Sequence, residues 1–161
     1  MNTRRFKDGQ ETISDINGIV FDDPVLIVCP GCGGRASIVP FQGEQKKQQV
    51  RATCFNCGYN DVKSSETSCF YWQKDNPTDG YFGHELWLKK DCSGHSLWAF
   101  NMKHLEFLES YVSAALRERS GKGKTGWTNS SLASRLPKWI KSGKNRQALL
   151  SAIRDLKDMA L

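Results

Sequence analysis

No run of eighteen apolar residues occurs in this 161-residue chain, so it contains no stretch of the length that a membrane-spanning helix requires. The beginning is also short of apolar character. Met1-Asn2-Thr3-Arg4-Arg5-Phe6 is followed by Asp8 and Glu11 before any hydrophobic stretch, so no secretory signal is expected. A reducing cytoplasmic compartment follows as the expectation, and it disfavours disulfides. Acids are scarce in the last third, where residues 111–161 hold 11 Lys and Arg against 3 Asp and Glu. Residues 1–68 balance at 8 against 8, and residues 69–110 stand at 4 against 6. The net charge of +6 is therefore a C-terminal property. Clustered cations with few acids point to an acidic partner such as nucleic acid, set against the plainer reading of a merely basic surface.

What the chain does have is six cysteines, four of them in two near-identical turns: Cys29-Pro30-Gly31-Cys32-Gly33-Gly34 and Cys54-Phe55-Asn56-Cys57-Gly58. Two C-x-x-C pairs separated by 21 residues give the spacing of a four-thiolate zinc site. Two intervening residues let both sulfurs of a pair point at one ion, about 2.3 Å away. The glycine after each second cysteine stands where the chain reverses and a positive φ is needed. Four thiolates fill a tetrahedron and leave no place for water or substrate, so Cys29, Cys32, Cys54 and Cys57 are expected to bind one structural Zn2+. A thioredoxin-like redox motif would need a βαβ setting, which these residues lack.

The elements predicted around these turns are those of a zinc ribbon. Val25-Leu26-Ile27-Val28 leads into the first pair and Ala36-Ser37-Ile38-Val39-Pro40 leaves it. After a polar turn at 42–49, Val50-Arg51-Ala52-Thr53 returns to the second pair, and residues 59–63 leave it. Residues 64–80 read as a connection containing Phe70-Tyr71-Trp72. Residues 84–90 and 96–100 read as two strands joined by a hairpin turn at 91–95, with Trp87 and Trp98 as candidate cross-strand neighbours. Asn101 N-caps a helix to about residue 119, striped by Leu105, Leu108, Val112, Ala115 and Leu116. Beyond a glycine-rich break, a short helix over 132–136 precedes Pro137. A last helix, capped by Asn145, carries Leu149, Ala152, Ile153, Leu156 and Ala160 on one face. The fold class expected is α+β, a small antiparallel four-cysteine zinc ribbon followed by a ββα unit and a C-terminal helical tail. Its segments are 1–23 (polar), 24–63 (ribbon), 64–80 (connection), 81–119 (ββα) and 120–161 (basic tail).

Other motifs carry less. Gly123-Lys124-Thr125 imitates a phosphate-binding loop, but the required earlier glycine is Glu118 and a helix, not a strand, is expected before it. Cys92 and His95, with Cys69 and His84, are candidates for a second metal site, against readings of Cys69 as a small buried residue and the histidines as hairpin-end residues. A Cys/His nucleophile could be assembled from Cys92 or Cys69 with His84, His95 or His104, but no orienting acid or oxyanion turn accompanies them. His104 has packing as its plain explanation. Phe55, Tyr59, Trp127 and Trp139 are aromatics near cations, able to stack on unpaired bases or to serve as core.

The two cysteine turns resemble the zinc ribbon of general transcription factor B over about residues 24–63, and the resemblance implies the same four ligands. Leu86-Trp87-Leu88, Gly94-His95-Ser96-Leu97-Trp98-Ala99-Phe100-Asn101 and Ser134-Arg135-Leu136-Pro137-Lys138-Trp139-Ile140-Lys141 resemble uncharacterised bacterial zinc-ribbon proteins, which implies a cytoplasmic bacterial protein and supplies no activity. The expected function is non-enzymatic. Arg117, Arg119, Lys122, Lys124, Arg135, Lys138, Lys141, Lys144 and Arg146 would contact nucleic-acid phosphates, with little sequence preference. The alternative is a protein-interaction adaptor or a subunit of a larger complex, pairing through ribbon edge strands or the 86–100 hairpin. No small-molecule substrate and no membrane are expected.

Overall fold

The computed structural model describes residues 5–8, 23–64, 77–114, 116–119 and 132–161. Mixed helix and antiparallel sheet make an α+β fold. Four strands form the first sheet in the order β2-β3-β4-β5: Val25–Val28, Arg35–Gln42, Gln48–Thr53 and Asn60–Ser64. All three pairings are antiparallel. Alternation decides the faces: Val25, Ile27, Ala36, Ile38, Val50 and Ala52 are buried, while their neighbours in sequence point outward. Strand β5, Asn-Asp-Val-Lys-Ser, is exposed along its whole length, a polar edge that discourages pairing with another chain.

The four-stranded sheet does not stand alone. Leu26 N donates to Phe100 O at 2.8 Å, Val28 N to Glu85 O at 2.8 Å, and Trp87 N to Leu26 O at 3.1 Å. The outer edge of β2 is thus covered by the chain at 85–87 and by Phe100. Tyr81, Leu86, Trp98 and Phe100 pack into the ribbon's own core.

Strands β6 (Leu88–Cys92) and β7 (His95–Ala99) form a hairpin in which Cys92 faces His95 and Lys89 faces Trp98. Its two-residue turn, Ser93-Gly94, has φ of +52° and +77°, the backbone of a tight hairpin whose twist matches the strands. Trp87 precedes β6 and so has no cross-strand place opposite Trp98. Trp98 is buried in the ribbon core, whereas Trp87 lies against the helices and its Nε1 donates to Met159 O at 3.2 Å.

Helix α1, Met102–Ser113, is capped as its sequence predicts: Asn101 Oδ1 accepts from His104 N at 2.9 Å. It ends six residues earlier than its apolar stripe suggested. Leu116–Arg119 form β8, parallel to β1 (Arg5–Asp8), so Arg117 and Arg119 lie in a strand and not on a helix. A ladder with a segment more than a hundred residues away satisfies the backbone there, and local periodicity carries no trace of such a partner. The same ladder brings Phe6, from a segment expected to be merely polar, into the core, with its ring edge-on to Phe107 and Tyr111.

The C-terminal region contributes α2 (Leu132–Arg135), α3 (Lys138–Lys141) and α4 (Arg146–Ala160). Leu149, Ala152, Ile153 and Leu156 of α4 are buried against α1 and β6, where Leu88, Leu97, Leu105, Leu108 and Val112 complete a second core. Ion pairs fasten α4 at its edges, Lys90 to Asp155 and Lys157 to Glu109. Asn145 does not cap α4 with its side chain. A 3-10 turn over Gly143–Asn145 feeds the helix, so Asn145 is already helical, and its amide donates to Trp139 O at 2.9 Å.

Candidate functional site

The two cysteine turns fold alike. In the first, Gly33 N donates to Cys29 O at 2.9 Å and Cys29 N to Gly34 O at 2.7 Å. In the second, Gly58 N donates to Cys54 O and Cys54 N to Tyr59 O, both at 2.9 Å. Gly33 and Gly58 have φ of +72° and +79°, the left-handed reversal expected after each second cysteine. The strands β2, β3, β4 and β5 present the two turns side by side.

All four sulfurs lie within 4.8 Å of one another. Cys29 and Cys57 Sγ are 3.5 Å apart, and Cys32 and Cys54 Sγ 3.7 Å. Ligands at about 2.3 Å on a tetrahedron stand about 3.8 Å from each other, whereas a disulfide would need about 2.05 Å. The set can hold one metal ion. Cys29 and Cys54 are buried and Cys32 and Cys57 exposed, so each turn gives one inner and one outer sulfur.

The surroundings fit thiolates. Gly31 N donates to Cys29 Sγ at 3.3 Å, and Asn56 Nδ2 reaches from the second turn to Cys32 Sγ at 3.4 Å. The Asn56 amide, followed by the Gly34 N–H, brings the Cys32 thiol down to about 6. At Cys57 the Tyr59 N–H pulls the thiol downward, but hydrogen bonds with the other three cysteines, together with desolvation, outweigh it and push it up to about 12. Four crowded sulfurs cannot all be anionic by themselves; a dication removes that conflict. Asn56 and Gly31 escaped the sequence reading. A Cβ on Gly31 would stand 3.3 Å from Cys57 Sγ and 3.7 Å from Cys29 Sγ, so the glycine inside the first C-x-x-C was the available signal.

No second metal site assembles: among the described residues the four cysteines are the only group of three or more potential ligands. Cys69 lies outside the described residues. His84 shares a 3.2 Å hydrogen bond between its Nε2 and Tyr59 OH, and stacks on Phe82, 5.7 Å between centroids. The loop carrying it is built on buried Asp79, whose carboxylate accepts from Tyr81 N (2.8 Å), Phe82 N (2.7 Å) and His84 N (2.7 Å). His104 is wholly buried. Its Nδ1 accepts from Phe100 N at 3.1 Å, and desolvation lowers its pKa to about 3, so it serves packing.

The basic residues separate into groups. Lys122 and Lys124, with Trp127, lie outside the described residues. Lys141 is half-buried and its Nζ donates to Ser134 O at 2.8 Å. Arg146 donates to Ala114 O at 3.2 Å, closing a carbonyl at the end of α1. Arg135 is exposed on α2. Lys138 and Lys144 are exposed and line one cleft of about 380 Å³ with Ser93, His95, Trp139, Ser142 and Asn145. Compared with known protein families, curated proteins and solved structures, the chain matches none.

Proposed function

We propose that the chain is a non-enzymatic nucleic-acid-binding protein whose ribbon, closed by one structural zinc, acts as scaffold and whose C-terminal basic region contacts phosphates. Four-sulfur coordination supports zinc in a closed shell with no position left for chemistry. One observation carries the nucleic-acid reading: Lys138 and Lys144 converge on a single cleft beside Trp139, and neither has an ion-pair or hydrogen-bond partner among the described residues. Lys141 and Arg146 are tied to backbone carbonyls and contribute positive potential more than direct contact. The test is fluorescence anisotropy with labelled DNA and RNA between 50 and 200 mM salt. Affinity should fall steeply with salt, and Lys138→Glu with Lys144→Glu should flatten the log–log slope on duplex DNA by about 2, near 0.9 per phosphate contact. Absence of binding at low salt, or an unchanged slope in the double variant, defeats the reading.

A protein-interaction adaptor is favoured by a different observation. Phe55, at the tip of the second turn, is 93% exposed beside a cleft of about 570 Å³ that Arg35, Asn56 and Met102 help to line. In that reading a pull-down recovers one stoichiometric, nuclease-resistant partner that Phe55→Ser loses.

A further inference from the structure

The start of β7 and the short helix α3 meet through two rings. His95 stacks on Trp139 with 4.6 Å between centroids and 6° between planes. The tryptophan is held in place. Ile140 beside it is buried, Ile140 N and Lys141 N both donate to Pro137 O, and the Trp139 carbonyl accepts from Asn145 Nδ2. His95 is exposed, and among the described residues Trp139 is the only ring against it. One imidazole face is therefore backed by a fixed indole on a residue that is otherwise exposed. Lys138 and Lys144 stand in the same cleft, whose 380 Å³ falls in the range of small-ligand sites, about 300–1,000 Å³.

We propose that the His95–Trp139 stack is the base platform of a single-stranded nucleic-acid site, with Lys138 and Lys144 holding the adjoining phosphates. This deepens the nucleic-acid reading above and rests on it. Phosphate contact alone does not select a single strand, because a duplex offers the same phosphate groups at a higher charge density. A flat ring backed by a second ring does distinguish them. Only an unpaired base can leave its own stack and lie on the imidazole, and every base has a face for it, so the site selects strand state rather than sequence. Asn145 and the Ser93 and Ser142 hydroxyls add polar groups at the rim without a pattern for any one base edge.

The experiment measures anisotropy with a short labelled oligonucleotide, single-stranded and annealed to its complement, on the full chain with its metal. Wild type is compared with His95→Ala, His95→Phe and the Lys138→Glu/Lys144→Glu pair. His95 is exposed at the first position of β7, so the substitutions spare the core, and far-UV circular dichroism checks that. The wild type should bind the single strand more tightly than the duplex. His95→Ala should weaken single-strand binding about five- to a hundredfold while leaving duplex binding unchanged, and His95→Phe should restore it. Equal affinity for both forms, an unaltered single-strand affinity in His95→Ala, or a loss that His95→Phe does not repair overturns the platform. Each of those outcomes leaves the phosphate reading standing. Absence of any binding overturns both.

Discussion

The buried His104 should make this protein less stable as the pH falls. The side chain is completely buried between the two cores. Its Nδ1 accepts from Phe100 N, and its ring lies 5.5 Å from that of Phe100 and 5.7 Å from that of Trp98. Phe100 in turn accepts from Leu26 of the ribbon, so the imidazole sits where the hairpin, α1 and β2 join. Desolvation lowers its pKa from 6.5 to about 3. In the unfolded chain it titrates near 6.5. The depressed value fixes the sign: below 6.5 the unfolded state takes up a proton that the folded state refuses, so stability present at neutral pH is lost as the pH falls from 6.5 towards 3. The cost approaches about 1.4 kcal/mol per pH unit once the pH is well below 6.5, which gives about 2 kcal/mol between pH 6.5 and 4.5. Urea unfolding at half-unit pH steps, followed by tryptophan fluorescence with metal saturating, measures it. Carboxylates and cysteine thiols titrate too, so the informative quantity is the difference between wild type and His104→Gln. The variant, whatever its own stability, should lose about 2 kcal/mol less between pH 6.5 and 4.5. Parallel pH dependences for the two proteins would refute the argument.

Two further predictions follow from the other buried polar groups. Chelating the metal, or replacing buried Cys54 with Ser, should disorder the ribbon and also change the emission of Trp98, because that indole is part of the ribbon core; readdition of Zn2+ should restore the chelated protein, and an unaltered Trp98 signal would contradict the shared core. Asp79→Ala leaves three backbone N–H groups without their acceptor, at about 1–3 kcal/mol for a fully buried donor and less where water can enter, so a loss of about 3 kcal/mol is expected by urea denaturation. A loss below 1 kcal/mol would mean that water replaces the carboxylate.

How much of the molecule could be read from the sequence depends on how local each cause is. The cysteine cluster was legible because a C-x-x-C turn needs only its own residues to aim two sulfurs, and Gly33 and Gly58 adopt the reversals that the spacing implies. Asn101 as a cap and the buried face of α4 were legible for the same reason, since a helix presents residues three and four apart on one side. Ligand support was only partly legible, because Asn56 acts on Cys32 across the two turns rather than along the chain.

What the sequence by itself determined, then, is each element whose cause lies within a few residues: four clustered sulfurs able to hold one ion, the strands that flank them, the capped helix and the location of positive charge. The tertiary structure decided the rest. It ended α1 at Ser113 by offering residues 116–119 a parallel partner in β1, covered the edge of β2 with residues 85–87, and separated Trp87 from Trp98. It also divided the basic residues, tying Lys141 and Arg146 to carbonyls and setting Lys138 and Lys144 in one cleft beside His95 and Trp139. The physical reason is common to all of these: hydrogen bonds and ring contacts between distant segments are selected by the folded geometry, and a one-dimensional pattern records which groups a residue carries but not which partner the fold brings to it.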